Sequence, residues 1–90
     1  MRLTAAEAVY ISNRLTRYGK RDVTALPIDY GYRYVTQWDG EEPLGGLQVQ
    51  EFMGNIHIGH MGHSDNDSIK INGEFATREN VIAVLLALFD

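Results

Sequence analysis

Aromatic residues at alternating positions between residues 30 and 38 are the feature that most limits what this chain can fold into. One face of this segment carries Tyr30, Tyr32, Tyr34, Thr36 and Trp38. Successive side chains of a β-strand point to opposite faces, so a period of two that is rich in aromatic residues is typical of a strand. The segment therefore predicts a strand whose aromatic face belongs either to a core or to a binding surface.

Three more segments alternate in the same way and predict further strands. They cover residues 47–53, 56–60 and 69–71. Gly54 and Asn55 are placed to form a two-residue hairpin turn between the first two of these strands. Residues 39–46 predict an acidic loop, and Pro27 predicts a connector over residues 20–29.

Two helices are predicted, one near each end of the sequence. Thr4 and Glu7 have the spacing of a capping box, and apolar residues at three- and four-residue steps follow as far as Gly19. Thr77 is placed to cap a second helix, in which residues 81–89 are apolar almost all round. A monomer does not easily cover every side of such a helix, so the second helix predicts a homodimer.

The order α-β-β-β-β-α predicts an α+β fold that covers residues 1–90 as one small domain. Its expected architecture is a four-stranded antiparallel sheet flanked by an N-terminal and a C-terminal helix. Short connections favour an antiparallel meander with both helices on one face. The other sheet face is then open to water or covered by a partner.

Charge is unevenly distributed along the chain, which has a net charge of −4. The first 23 residues hold five basic and two acidic groups, whereas the remainder holds three basic and ten acidic groups. This acidic majority predicts no direct nucleic-acid binding and favours a basic protein partner. The sequence has no cysteine, which excludes disulfides and fits the cytoplasm, the predicted location. The longest apolar run is too short for a membrane span.

Three histidines lie close together in the sequence, at His57, His60 and His63. Imidazole is a common ligand of zinc and nickel, so these residues are a candidate metal site, and no other cofactor is predicted. On a straight strand His57 and His60 point to opposite faces, and they converge only if the chain turns near Gly59 or Gly62. The oxygen-rich residues 65–68 lack the glycine and glutamate of a calcium loop and predict a turn.

The strongest candidate for a binding surface combines the aromatic strand with the acidic loop. Tyrosine and tryptophan are frequent anchors of protein interfaces, and carboxylates at the rim steer a basic partner. The candidate partner-binding residues are Tyr32, Tyr34, Trp38, Asp39, Glu41 and Glu42. No nucleophile elbow, phosphate-binding loop or dinucleotide fingerprint accompanies them, and no catalytic residue is predicted.

These features favour a non-enzymatic module that binds another protein, such as one that handles nucleic acid. In size, acidity and lack of a catalytic motif, the chain is similar in type to small inhibitors encoded by phages or mobile elements, such as anti-CRISPR proteins. Two alternatives remain open at this point. One is a histidine-cluster metal-binding protein or small metal-dependent hydrolase, and the other is an accessory subunit of a larger assembly.

Overall fold

The chain forms an antiparallel meander with one helix before it and one after it. The structure is a computed structural model that describes residues 1–19, 21–61 and 68–89. Its elements are α1 (Ala5–Gly19), β1 (Thr24–Ile28), β2 (Gly31–Asp39), β3 (Glu42–Phe52), β4 (Asn55–His60), β5 (Ile69–Ile71), a 3₁₀ helix (Gly73–Phe75) and α2 (Arg78–Phe89). The strands pair in the order β1-β2-β3-β4-β5. The predicted α+β class is confirmed.

The sheet has five strands rather than the four predicted. The additional strand, β1, covers residues 24–28, which is half of the predicted connector over residues 20–29. β1 lies at the edge of the sheet and pairs only with β2. In this pairing Pro27 lies opposite Tyr32. A proline is tolerated at an edge, since no second neighbour needs a hydrogen bond from its missing N–H group.

The N-terminus of each helix is capped by the predicted threonine. The Thr4 Oγ1 atom accepts a hydrogen bond from the Glu7 backbone N–H at 3.2 Å, and Thr77 Oγ1 does the same for Asn80 at 3.2 Å. The Glu7 carboxylate meets the other helix, where Arg78 Nε donates to it at 2.9 Å. A single ion pair therefore joins the first turns of α1 and α2.

The core lies between one face of the sheet and both helices. Its fully buried members are Ile11 and Leu15 from α1, Tyr34, Leu47, Val49, Ile56 and Ile58 from the sheet, and Val81 and Leu85 from α2. The cross-strand pairs Tyr34–Leu47 and Val49–Ile58 place these sheet residues on the same face. The helices therefore cover this face, here called the helix-covered face, and the opposite face is the open face.

Two register shifts interrupt the long pairing between β2 and β3. Val35 faces Gly46 but Gln37 faces Gly45, so Thr36 is an extra residue on β2. The next pair is Trp38 with Pro43, which makes Leu44 an extra residue on β3. A one-residue bulge reverses the alternation of the side chains that follow it. Trp38 therefore falls in the register of the open face, opposite to Tyr34, whereas simple alternation assigns both to one face.

Helix α2 is apolar on most sides, as predicted, but its exposed apolar residues are small. Val81, Ile82 and Leu85 are buried, whereas Ala83 and Ala87 face solvent. Its other large apolar side chains are half-buried against the core. Because no large apolar side chain of α2 is left exposed, the helix gives no structural reason for the predicted homodimer. Among the described residues, neither helix has the length and apolar character needed to span a membrane.

Candidate binding surfaces

The hairpin between β2 and β3 extends beyond its neighbours in the sheet. The register of β1 on β2 ends at Val35, and that of β4 on β3 ends at Leu47. Residues 38–44, here called the hairpin tip, consequently pair only with each other within the sheet. A positive φ of 60° at Gly40 reverses the chain between Asp39 and Glu42. The predicted long loop is thus a two-residue turn on a projecting two-stranded ribbon.

The hairpin tip presents apolar side chains together with carboxylates. Trp38 is 41% exposed and Leu44 is 61% exposed. Asp39, Glu41 and Glu42 are exposed between them. The segment contains no lysine or arginine that would neutralise these three acids. The tip is therefore an acidic surface with two apolar anchors.

Tyr32 and Tyr34, the two tyrosines predicted to contact a partner, lie on the helix-covered face and not in the hairpin tip. Tyr34 is fully buried in the core, and its hydroxyl has no hydrogen-bond partner. Burial raises the pKa of Tyr34 above its ordinary value. Tyr32 is half-buried on the helix-covered face and packs against the core. Tyr34 therefore cannot be a surface contact in this structure, since α1 and α2 require a large apolar partner on the strand beneath them.

A second aromatic group lies at the other end of the sheet, where sequence reasoning did not place a site. The ring of Tyr30 lies 4.7 Å from that of Phe52, and Phe52 lies 5.8 Å from His57 in an edge-on arrangement. Tyr30 is 67% exposed and Phe52 is 40% exposed. The signal was present in the sequence, since Phe52 alternates out of step with Leu47 and Val49 and therefore falls on the opposite face.

The histidines do not gather into one site as far as the structure describes them. Strand β4 continues to its end at His60 without a turn near Gly59, and Gly62, the other predicted turn position, lies outside the described residues. His57 faces Gln50 on the open face, and His60 faces Leu47 on the helix-covered face. His63 and residues 65–67 lie outside the described residues. Strand alternation therefore separates His57 from His60, and the described part of the chain holds no group of three potential metal ligands.

The basic face of α1 is occupied by contacts within the protein. Arg14 Nη1 donates a hydrogen bond to the Tyr10 hydroxyl at 2.8 Å, and its guanidinium lies 4.9 Å from the ring centre of Tyr18. The guanidinium of Arg78 lies over the other aromatic neighbour, 4.1 Å from the ring centre of Tyr10. These stacked pairs engage Arg14 and Arg78 in contacts within the protein, as is expected of a solvated helix surface rather than a phosphate-binding one.

A cavity of about 280 Å³ opens between the end of α2 and the base of the projecting hairpin. Its lining includes Gln37, His60 and Phe89, and the guanidinium of Arg21 lies 5.4 Å from the Phe89 ring centre. Ligand sites are usually at least about 300 Å³ and enclose most of the ligand. This opening is slightly smaller than that and wide, so it encloses little of a ligand, although its lining also includes Thr36 and Arg21. The exposed surfaces are thus better candidates for function.

Comparison with known proteins gives no relative from which a function can be transferred. No family model, no curated protein and no solved structure matches the chain.

Proposed function

We propose that this protein is a non-enzymatic binding module that attaches to a basic surface of another protein through its hairpin tip. The observation that supports this proposal is the joint exposure of Trp38, Leu44 and three carboxylates on a ribbon that extends past the rest of the sheet. Exposed tryptophan and leucine bury apolar area when a partner covers them, and the surrounding acids favour a cationic partner.

The proposed partner is a protein that handles nucleic acid in the cytoplasm. Such proteins present basic grooves for phosphates, and an acidic hairpin that enters a groove of this kind competes with the nucleic acid. An inhibitor of the phage or mobile-element type is the form of this proposal that the sequence favours. An accessory subunit would use the same surface but would remain bound to its partner permanently.

The proposal is tested by affinity capture from the native host at low and high salt, with the wild type and two variants. Replacement of Trp38 by alanine removes the main anchor, and the double change Glu41→Lys and Glu42→Lys reverses the charge of the tip. The matched control is Asp22→Lys with Glu74→Lys, because these exposed residues lie outside the tip and the net charge changes equally.

We expect one basic protein to be captured by the wild type and by the control, and to be lost with both tip variants. Its capture should weaken as salt rises, since exposed charges are screened over about 10 Å at 0.1 M salt. Capture that is insensitive to salt and unchanged by both tip variants would contradict the proposal.

A further inference from the structure

The open face of the sheet differs in composition from the chain as a whole, which has a net negative charge. The cross-strand register assigns residues to it in successive rows. The rows are Thr24–Val35–Gly46, Leu26–Arg33–Gln48–Gly59, Ile28–Gly31–Gln50–His57–Lys70 and Phe52–Asn55. None of these described positions is aspartate or glutamate, although the chain as a whole is acidic.

The charges on the open face are cationic and without ionic partners among the described residues. Arg33 lies between Leu26 and Gln48, and its Nε atom is buried with no hydrogen-bond partner. Lys70 is exposed next to His57 on the neighbouring strand. Neither cation makes an ion pair with any residue in the described part of the chain. Two acids are adjacent in the sequence to the exposed aromatic rings: Asp29 lies at a turn, and Glu51 lies on β3 opposite Ile56, in the register of the helix-covered face.

The aromatic rings Tyr30, Phe52 and His57 continue this face at the end where β3 turns into β4. Tyr30 has a φ of 65°, a conformation that costs a bulky residue about 1 kcal/mol or more relative to glycine. The turn is held there because the Tyr30 carbonyl accepts a hydrogen bond from the Glu51 N–H at 2.8 Å. An unfavourable backbone conformation thus supports a ring that points largely into solvent.

The rest of the open face combines small and amide residues with apolar ones, of which Val35 is fully buried and Leu26 and Ile28 are half-buried. Gly31, Gly46 and Gly59 leave three positions without a side chain, and Gln48 and Gln50 lie beside them. Flat ligands that carry both hydrogen-bonding edges and π-faces suit such a surface. Unpaired nucleobases have these properties, and the phosphates that connect them match the two cations.

We propose that the open face binds single-stranded nucleic acid, with bases stacked on Tyr30 and Phe52 and phosphates near Arg33 and Lys70. The charge of the whole chain predicts no such binding, but none of the described positions on this face carries an acid. The site is separate from the hairpin tip, and neither proposal depends on the other. Only two cations take part, so the binding should be weak and should depend modestly on salt.

The test is fluorescence anisotropy of a labelled oligouridylate of about eight nucleotides, a length within the usual range for such surfaces. Phe52→Ala is compared with Phe75→Ala, because Phe75 is equally apolar and 57% exposed but lies in the 3₁₀ helix before α2. We expect Phe52→Ala to weaken binding about fivefold or more, and Phe75→Ala to change it less than about twofold.

A second variant separates a loss of binding from a loss of folding. Tyr30→Gly removes the ring but relieves the positive φ, so the protein should stay folded while binding weakens. Lys70→Gln, with the exposed helix residue Arg17→Gln as control, should reduce the salt dependence of the affinity. For two phosphate contacts, the slope of log affinity against log salt should be about −1.4 in the wild type.

Three outcomes would overturn the proposal. One is equal affinity for inorganic polyphosphate, which has charge but no bases. Another is an equal loss of binding in Phe52→Ala and Phe75→Ala. The third is self-association that Phe52→Ala abolishes without any binding of the oligonucleotide, because the open face would then accept the acidic tip of a second copy. The tip variant Glu41→Lys with Glu42→Lys should not weaken oligonucleotide binding, whether or not the protein partner exists.

Discussion

The two faces of the sheet differ in burial and in residue composition. On the helix-covered face, Leu47, Val49, Ile56 and Ile58 are all fully buried beneath α1 and α2. On the open face, the residues that alternate with them are glycine, glutamine, asparagine and histidine. The neighbouring strands add two cations and the fully buried Val35 to this face, and aromatic rings lie at one end. Folding requires a continuous apolar surface on one side only, so the composition of the other side is available for binding.

The largest expected difference between the faces comes from two adjacent residues of β3. Leu47→Ala should lower the free energy of unfolding by about 3 kcal/mol, because it leaves a cavity beneath the helices. Gln48→Ala on the open face should change it by only about 0.5 kcal/mol. Urea denaturation followed by circular dichroism measures both. Equal losses would mean that the open face also contributes substantially to the core.

A second comparison distinguishes the glycines within the open face. A Cβ atom at Gly31 would overlap the Val49 carbonyl oxygen, whereas one at Gly59 would meet only Ser68 Cβ at 3.5 Å. Gly31→Ala should therefore destabilise the protein by about 2 kcal/mol, since the backbone must shift. Gly59→Ala should be neutral or slightly stabilising. Thermal unfolding of the two variants checks this, and a well-tolerated Gly31→Ala would contradict the β2–β3 register.

The buried hydroxyl of Tyr34 provides a third, smaller effect on the helix-covered face. Tyr34→Phe removes a hydroxyl that has no partner, so it should be neutral or should stabilise the protein by about 1 kcal/mol at pH 7. Burial raises the pKa of Tyr34, so the unfolded chain ionises first. The stability that this residue provides is present below about pH 10 and declines as pH rises further.

The pH dependence of unfolding distinguishes this mechanism from a general alkaline effect. Between about pH 10 and pH 11, the wild type should lose stability more steeply than Tyr34→Phe, by up to about 1.4 kcal/mol per pH unit. Tyr30→Phe is the matched control, because Tyr30 is exposed at a turn. Parallel curves for the wild type and Tyr34→Phe would show that the Tyr34 hydroxyl reaches water.

The smallest expected effect concerns the ion pair that joins the two helices. The hydrogen bond from Arg78 holds the pKa of Glu7 below its ordinary value of 4.5. The associated stability is present above about pH 4.5 and disappears as pH falls through the lowered pKa of the folded state. Glu7→Gln should therefore lose less stability on acidification than the wild type, and Glu74→Gln should behave like the wild type. If the free energy of unfolding falls equally on acidification in Glu7→Gln and in the wild type, the ion pair makes no pH-dependent contribution to stability.

Local signals in the sequence predicted most of the fold. The caps at Thr4 and Thr77 and the alternation along β3 and β4 depend on residues within a few positions of each other. The missed features depend on pairing between distant residues. The extra residues Thr36 and Leu44 are visible only once β2 and β3 are aligned, and they decide which face Trp38 occupies.

The turns show the same limit on a smaller scale. The predicted hairpin turn at Gly54 and Asn55 lies one residue earlier, because Met53 and Gly54 both have positive φ values, 50° and 81°, as a type I′ turn requires. Tyr30 was predicted as part of a strand because its ring fits the alternation. The structure instead places it in a turn, where no residue preference predicts a bulky side chain at positive φ.

The open face, which no helix covers, is the proposed binding face. The most direct measurement is an NMR titration of isotope-labelled protein with the oligouridylate, followed through the backbone amide signals. If the open face binds the oligonucleotide, the shifted signals should belong to open-face residues such as Gln50, Phe52, His57 and Lys70, with α1 and α2 unaffected. Shifts confined to α1 and its arginines, or no shifts at about 1 mM oligonucleotide, would contradict it.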